Sequence, residues 1–294
     1  MVLRTSLTHT AGHKEIQAME TRKPHIRSVG QGPTVVLLHS SGSSGRQWDG
    51  LMTALQSRFR LHAVDLHGHG STPAWMGAQP MRLEDDLAPV QPLLASDTPV
   101  HLVGHSYGGA LALKLAALMP ECIASVAVYE PVLFRLLLDY QPRDRATTEV
   151  LIAAQSIRNW FELGHSARAA QRFVDFWSDD GAWARLPPVP QQLIASRIGS
   201  VIGHFNALFS DSLTRAELSR LAMPILCMTG AQTRPAPRRI GELLRYVLPR
   251  ATHEHVANAG HMGPVTHGQA VAWRIGAFLD AQAVTPREAM RRAA

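Results

Sequence analysis

The stretch PVHLVGHSYGGALALKLAALM (99–119) constrains this chain more than any other. An apolar run suited to a buried strand passes through Gly104-His105-Ser106-Tyr107-Gly108 straight into small and apolar residues at helical spacing. A strand that turns into a helix within so few residues puts Ser106 at the apex in a strained backbone. Bulky side chains two positions to either side would collide, which accounts for glycine at both. Gly109 and Ala110 let the helix lie close to the sheet, and its start aims free N–H groups at the serine.

The strand-then-helix order recurs. TVVLLH (34–39), FRLHAVD (59–65) and IASVAVYE (123–130) read as further strands, with helical spacing at 46–57, 81–95 and 107–119. Such alternation predicts an α/β fold with a mostly parallel, doubly wound sheet covered on both faces. From about residue 132 to 212 the pattern is helical throughout, broken at PRD (142–144), LGH (163–165) and LPPVP (186–190). It resumes with MPILCMTG (223–230), a helix near 237–247, ATHEHVAN (251–258) and a helix near 266–282; residues after about 284 read as a frayed tail. The expected organisation is a core of 1–131 and 213–294 with a helical cap, 132–212, inserted at the carboxyl edge of the strands. Open α/β sheets bind their ligands at that edge.

Composition narrows the function. The chain has 294 residues, 46% hydrophobic and 18% charged, enough for one large α/β domain with an insertion. No apolar run approaches the roughly 20 residues of a membrane span. The first twenty residues hold one arginine and no apolar block behind it, so no secretory signal is expected. Cys122 and Cys227 lie in apolar strand-like runs and are expected to be buried thiols, which fits a reducing cytoplasm. The net charge of +6 suggests nucleic acid, but its densest clusters, Arg238–Arg239 and Arg291–Arg292, are only pairs. A surface that tracks phosphates shows a longer basic stripe, so the charge is read as solvated surface with no nucleic-acid partner. His67 and His69, like His253-Glu254-His255, offer no third ligand and no H-E-x-x-H spacing, so no metal is expected. No nucleotide, nicotinamide or flavin fingerprint is present, and cofactor-free chemistry follows.

Ser106 is the candidate nucleophile. The oxyanion formed by its attack is expected to meet the amide of Tyr107 and one amide from the loop His39-Ser40-Ser41-Gly42-Ser43-Ser44-Gly45, with Ser41 the favoured donor. That loop has no lysine and so does not match a phosphate loop.

At this point the chain resembles the α/β-hydrolase superfamily. HSSGSSGRQW (39–48), DLHGHG (65–70), GHSYGG (104–109) and AGHMGP (259–264) carry the resemblance, which spans about 35–131 and 215–282. Ser40 departs from it, since the superfamily usually has glycine there. The resemblance, and a place on the loop after the last strand, make His261 the general base. The superfamily often carries its acid a few residues after the strand that is here 224–229. In this chain ILCMTGAQTRPAPR (225–238) holds no carboxylate, and that place has Gln232 and Thr233. Some members, haloalkane dehalogenases among them, carry the acid after the preceding strand, which here ends Tyr129-Glu130-Pro131. Adjacent strands lie about 4.8 Å apart, so Glu130 is about one spacing from the nucleophile strand and its extra methylene can span the gap. Pro131 is expected to hold Glu130 extended. The competing views are that Glu130 is a solvated or hinge-capping carboxylate, or that Asp65 is the acid; Asp65 is better suited to bracing its own glycine-rich turn.

The combined expectation is a serine hydrolase of a carboxylic ester or related acyl compound. The same triad would serve hydrolytic carbon–carbon cleavage of a diketone-like metabolite, or acyl transfer. A dehalogenase or an epoxide hydrolase is disfavoured, because the superfamily's versions have aspartate where Ser106 stands. The alternatives outside hydrolysis are a non-catalytic small-molecule receptor and a cofactor-free oxygenase on the same fold. Ten of the eighteen aromatic residues fall between 132 and 212. Beyond those that fill a small helical core, the remainder predicts an apolar or aromatic small-molecule substrate.

Overall fold

The computed structural model describes residues 24–95 and 98–283. The readings of the first twenty residues, of Arg291–Arg292 and of the tail after 284 lie outside them. Seven strands form one sheet: β1 (Ile26–Val29), β2 (Thr34–Leu38), β3 (Arg60–Val64), β4 (Val100–His105), β5 (Ile123–Tyr129), β6 (Ile225–Gly230) and β7 (Thr252–Val256). Their order is β1-β3-β2-β4-β5-β6-β7. All neighbours are parallel except β1, which runs antiparallel to β3. Sequence patterning missed β1: IRSV is a short edge strand, half-buried, with no apolar run to announce it.

Strands β2, β4, β5 and β6 are buried on both faces, and alternate residues feed two separate cores. Val36, Leu38, Leu102, Val126 and Val128 pack on one side. Val35, Leu37, Val103 and Ala127 pack on the other. Helix Tyr107–Leu118 follows β4 directly. A Cβ on Gly104 would lie 2.3 Å from the Gly108 carbonyl oxygen, and one on Gly108 2.3 Å from that of Leu38. Both approaches are to backbone, which cannot rotate away, so the turn admits only glycine at either place.

Within 132–212 the chain runs through helices Phe134–Tyr140, Arg145–Glu162, Ser166–Trp177, Ala182–Arg185 and Pro188–Ser210. Asp144 caps the second of these, accepting from the Ala146 amide at 2.8 Å. Pro188 and Pro190 sit in the first turn of the last helix, where a missing N–H costs nothing. The buried ion pair of Lys114 with Asp211, at 2.9 Å, ties the end of this block to the helix after β4.

Two local expectations are corrected. The helix expected over 81–95 is split into Leu83–Leu87 and a turn of 3-10 helix, Gln91–Leu94, because Pro89 and Pro92 each remove a donor. Cys227 is buried, but Cys122 is only half-buried, in the turn Pro120–Cys122 rather than a strand; both thiols are free. Among the described residues no helix is long and apolar enough to cross a membrane.

Candidate active site

Ser106 caps the helix that follows β4 with φ +55° and ψ −116°, outside the helical and extended basins. Such a conformation costs about 1–3 kcal/mol and persists only where the surroundings over-determine it. Here they do. The Ser106 amide donates to Tyr129 O at 3.0 Å, and its carbonyl accepts from Gly109 N at 3.0 Å, Ala110 N at 3.1 Å and Val132 N at 3.1 Å.

His261 lies on the loop after β7. Its place is set from below by two side chains of the central strands: Tyr129 Oη donates to Gly260 O at 2.7 Å, and His105 Nε2 donates to His261 O at 2.8 Å. The imidazole then spans two partners, with Nε2 3.0 Å from Ser106 Oγ and Nδ1 2.8 Å from Glu130 Oε2. A carboxylate facing Nδ1 keeps the ring proton there and leaves Nε2 to accept from the serine hydroxyl. The three residues are 5%, 3% and 2% exposed for Ser106, His261 and Glu130, so the chain of bonds is shielded from water. It joins residues 155 and 131 positions apart.

Glu130 arrives differently from expectation. Its backbone is left-handed, φ +43°, not extended as Pro131 suggests. Tertiary bonds override the local preference: Glu130 N donates to Met228 O at 2.9 Å, while its side chain accepts from Gly230 N at 2.7 Å and Thr233 Oγ1 at 2.8 Å. A buried carboxylate is stable only with such partners. Thr233 stands on the very loop where the superfamily's acid is often found, and donates to a carboxylate delivered from the neighbouring strand. The picture of Glu130 as a solvated group is thereby replaced.

Asp65 takes no part in this chain of bonds. It accepts from Gly45 N at 2.7 Å, Ser71 N at 2.9 Å and His25 Nδ1 at 2.9 Å, bracing two loops. Burial opposes its ionisation most strongly, but the bonds from Ser71, Gly45 and His25, with the nearby His39, together outweigh it and hold the carboxyl below the usual range. A depressed carboxyl contributes stability that is full above its unfolded value, about pH 4, and is lost as pH falls through the folded one. Asp65→Asn is expected to cost about 1–3 kcal/mol in urea unfolding at pH 7. Its deficit against the wild type should narrow steadily below about pH 4.

The loop after β2 is held residue by residue. Ser40 N and Oγ both donate to Gln47 Oε1, at 3.2 and 2.9 Å, which is how serine is accommodated where glycine was anticipated. Ser41 Oγ lies 2.7 Å from His204 Nδ1, and Gly42 N donates to His69 Nε2 at 3.0 Å. The Ser41 amide makes no hydrogen bond among the described residues. Tyr107 opens the helix, where backbone N–H groups have no partner within the helix. His67 and His69 lie in the turn after β3. They engage Asp86 and Gly42 respectively.

Residues 35–274 match the Alpha/beta hydrolase family. The chain belongs to that family. Among its relatives is the pimeloyl-[acyl-carrier protein] methyl ester esterase of Nitrosomonas europaea, 28% identical, covering 81% of this chain and 92% of the relative. The enzyme of the same name from Chromobacterium violaceum is also 28% identical, over 88% and 98%. In fold, an esterase from Exiguobacterium antarcticum superposes with a TM-score of 0.71 at 17% identity, covering 87% and 95%. An enol-lactonase from Burkholderia xenovorans superposes at 0.68 and 21%, covering 87% and 96%.

Several contacts of this α/β hydrolase had no signal in the sequence. Trp177, from the helical block, stacks on the His261 ring at 4.4 Å between centroids and 27° between planes. Its other neighbours are Phe134 and Phe176. Nothing but the aromatic enrichment of 132–212 pointed to it. Asp86, His204 and Gln47 went unmarked because each is an ordinary polar residue until the fold supplies its partner.

Proposed function

We propose that the protein is a cofactor-free carboxylic ester hydrolase in which Ser106 is the nucleophile, His261 the general base and acid, and Glu130 the group that orients His261. The reading rests chiefly on one observation: a single buried line of bonds from Ser106 Oγ through both nitrogens of His261 to Glu130 Oε2. Ser106 Oγ attacks the ester carbonyl while its proton passes to His261 Nε2, and the amides of Ser41 and Tyr107 receive the oxyanion. Collapse expels the alcohol, which takes that proton. Water then attacks the acyl-enzyme through the same base, releasing the carboxylic acid and restoring the serine.

Residues 132–212 act as a cap in this reading, with 1–131 and 213–294 as the core. The substrate is a small ester with an apolar acyl or alkyl group, because Trp177 of the cap stacks on His261 and joins it to a cluster of aromatic rings with Phe134 and Phe176. The methyl ester named for the 28%-identical relatives supports that class. Two free cysteines fit work in the cytoplasm.

The test pairs covalent labelling by a fluorophosphonate with turnover of p-nitrophenyl esters of graded chain length, run beside a vinylogous diketone. Stoichiometric labelling with ester turnover is expected. Labelling with cleavage of the diketone alone would replace ester hydrolysis by carbon–carbon hydrolysis. No labelling and no turnover would leave a receptor.

A further inference from the structure

We infer that His204, held by Asp86, is a positioning residue for the oxyanion hole, so that the hole is complete only when the cap helix Pro188–Ser210 is docked. The inference rests on the hydrolase reading above, in which the Ser41 and Tyr107 amides receive the oxyanion.

His204 is fully buried, although it sits on a helix of the inserted block. Its ring is clamped between two others: Tyr107 at 3.7 Å and 1°, and His69 at 4.6 Å and 20°. Rotation is therefore blocked, and its two nitrogens have fixed aims. Nδ1 meets Ser41 Oγ at 2.7 Å, and Nε2 lies 3.3 Å from Asp86 Oδ2. The second contact is out of hydrogen-bond alignment, so it is a charge–dipole contact and not a full bond. The carboxylate still favours the proton on Nε2, which leaves Nδ1 to accept from the Ser41 hydroxyl.

Asp86 also reaches the second oxyanion residue directly, since Tyr107 Oη donates to Asp86 Oδ2 at 3.0 Å. Its other oxygen accepts from His67 N at 3.0 Å and lies 2.7 Å from His67 Nδ1. One buried carboxylate thus anchors Tyr107 through its phenol and Ser41 through His204. Ser40 and Gly42 are held by Gln47 and His69, which belong to the same side of the site as the loop itself. From the cap, His204 holds the Ser41 side chain, and Arg197 Nη1 of the same helix donates to Ser43 O at 3.0 Å.

The chemistry of the cluster supports positioning over stability. A buried acid and imidazole are costly to desolvate, and a well-packed apolar set of equal volume is often as stable or more so. What the polar set adds is direction: it fixes where two backbone amides point. Oxyanion donors act through such fixed aim, and a displacement of about 1 Å costs about 100-fold in rate.

The test uses His204→Phe, which preserves the ring stack but removes both polar contacts, alongside His204→Asn, whose carbonyl can still accept from Ser41. The readouts are kcat, KM, and inhibition by a trifluoromethyl ketone, whose hemiketal with Ser106 Oγ carries an oxyanion, against the matching alcohol, which cannot form one. In His204→Phe, kcat and affinity for the ketone are expected to fall together by about 10- to 100-fold. KM and affinity for the alcohol should stay within about threefold, and His204→Asn should recover most of the loss. Ser41→Ala, which deletes only the hydroxyl, should reproduce the effect and add little to His204→Phe; it carries the test if the Phe variant fails to fold. Parallel weakening of ketone and alcohol, or unchanged kcat in both His204→Phe and Ser41→Ala, would overturn the inference while leaving the hydrolase reading intact. A wild type that turns over no ester and binds no ketone would overturn both.

Discussion

Ser106→Ala is expected to abolish fluorophosphonate labelling and to lower kcat on the best p-nitrophenyl ester by about 10⁴- to 10⁶-fold. The magnitude follows from how the three side chains act. Without the hydroxyl, His261 has no proton to take and Glu130 no imidazolium to stabilise, so one deletion removes the contribution of all three. What survives is the binding of the ester and the pull of the two amides on its oxygen, worth about 10³- to 10⁴-fold over water. KM should change little, because Oγ is one small group on a residue that is only 5% exposed. The fold should hold: the strained turn is fixed by backbone bonds to Tyr129 and Val132, which alanine retains. A variant with kcat within tenfold of wild type would place the nucleophile elsewhere.

Glu130→Gln is expected to lower kcat by about 10³-fold or more with the fold retained. The amide is the same size, and its oxygen can still accept from Gly230 N, the 2.7 Å bond that anchors the side chain. The other terminus now faces both Thr233 Oγ1 and His261 Nδ1, two positions that a carboxylate oxygen satisfies at 2.8 Å each. An amide nitrogen there donates to Nδ1 and drives the imidazole proton onto Nε2, so the ring points a donor at the serine and cannot act as base. The charge that would stabilise the imidazolium is gone as well. Circular dichroism matching the wild type, with kcat reduced and KM near its original value, is the expected signature. Turnover within tenfold of wild type would reject Glu130 as the orienting acid.

Much of the fold was readable before any coordinates. Six of the seven strands lie within a residue or two of where the sequence places them; the central ones were clear because a strand buried on both faces is continuous and apolar, whereas the edge strand Thr252–Val256 is polar and only partly buried. The missing one, Ile26–Val29, needs only one apolar face and a partner in β3 to exist. The helix split at Pro89 and Pro92 was legible too, but periodicity outweighed the prolines. At the site, the motif and resemblance singled out Ser106 and His261, and the absence of a carboxylate from the 225–238 loop drew attention to Glu130. Thr233 was in plain sight as the residue occupying the acid's place, yet its service as a donor to Glu130 depends on the left-handed backbone that Glu130 adopts, which the local sequence does not reveal.

The sequence alone determined that this chain would alternate strand and helix, where the block of helices would interrupt, and that a serine would sit at a turn admitting only glycine around it. These are properties of neighbouring residues: periodicity, missing donors and the space a Cβ would need are all decided within a few positions. The tertiary structure alone decided the left-handed backbone at Glu130, the face of Trp177 against His261, and the joining of Asp86, His204 and Ser41 across the sheet edge. Each of these joins groups far apart in the chain, and the geometry of a bond between distant groups depends on how every intervening element packs.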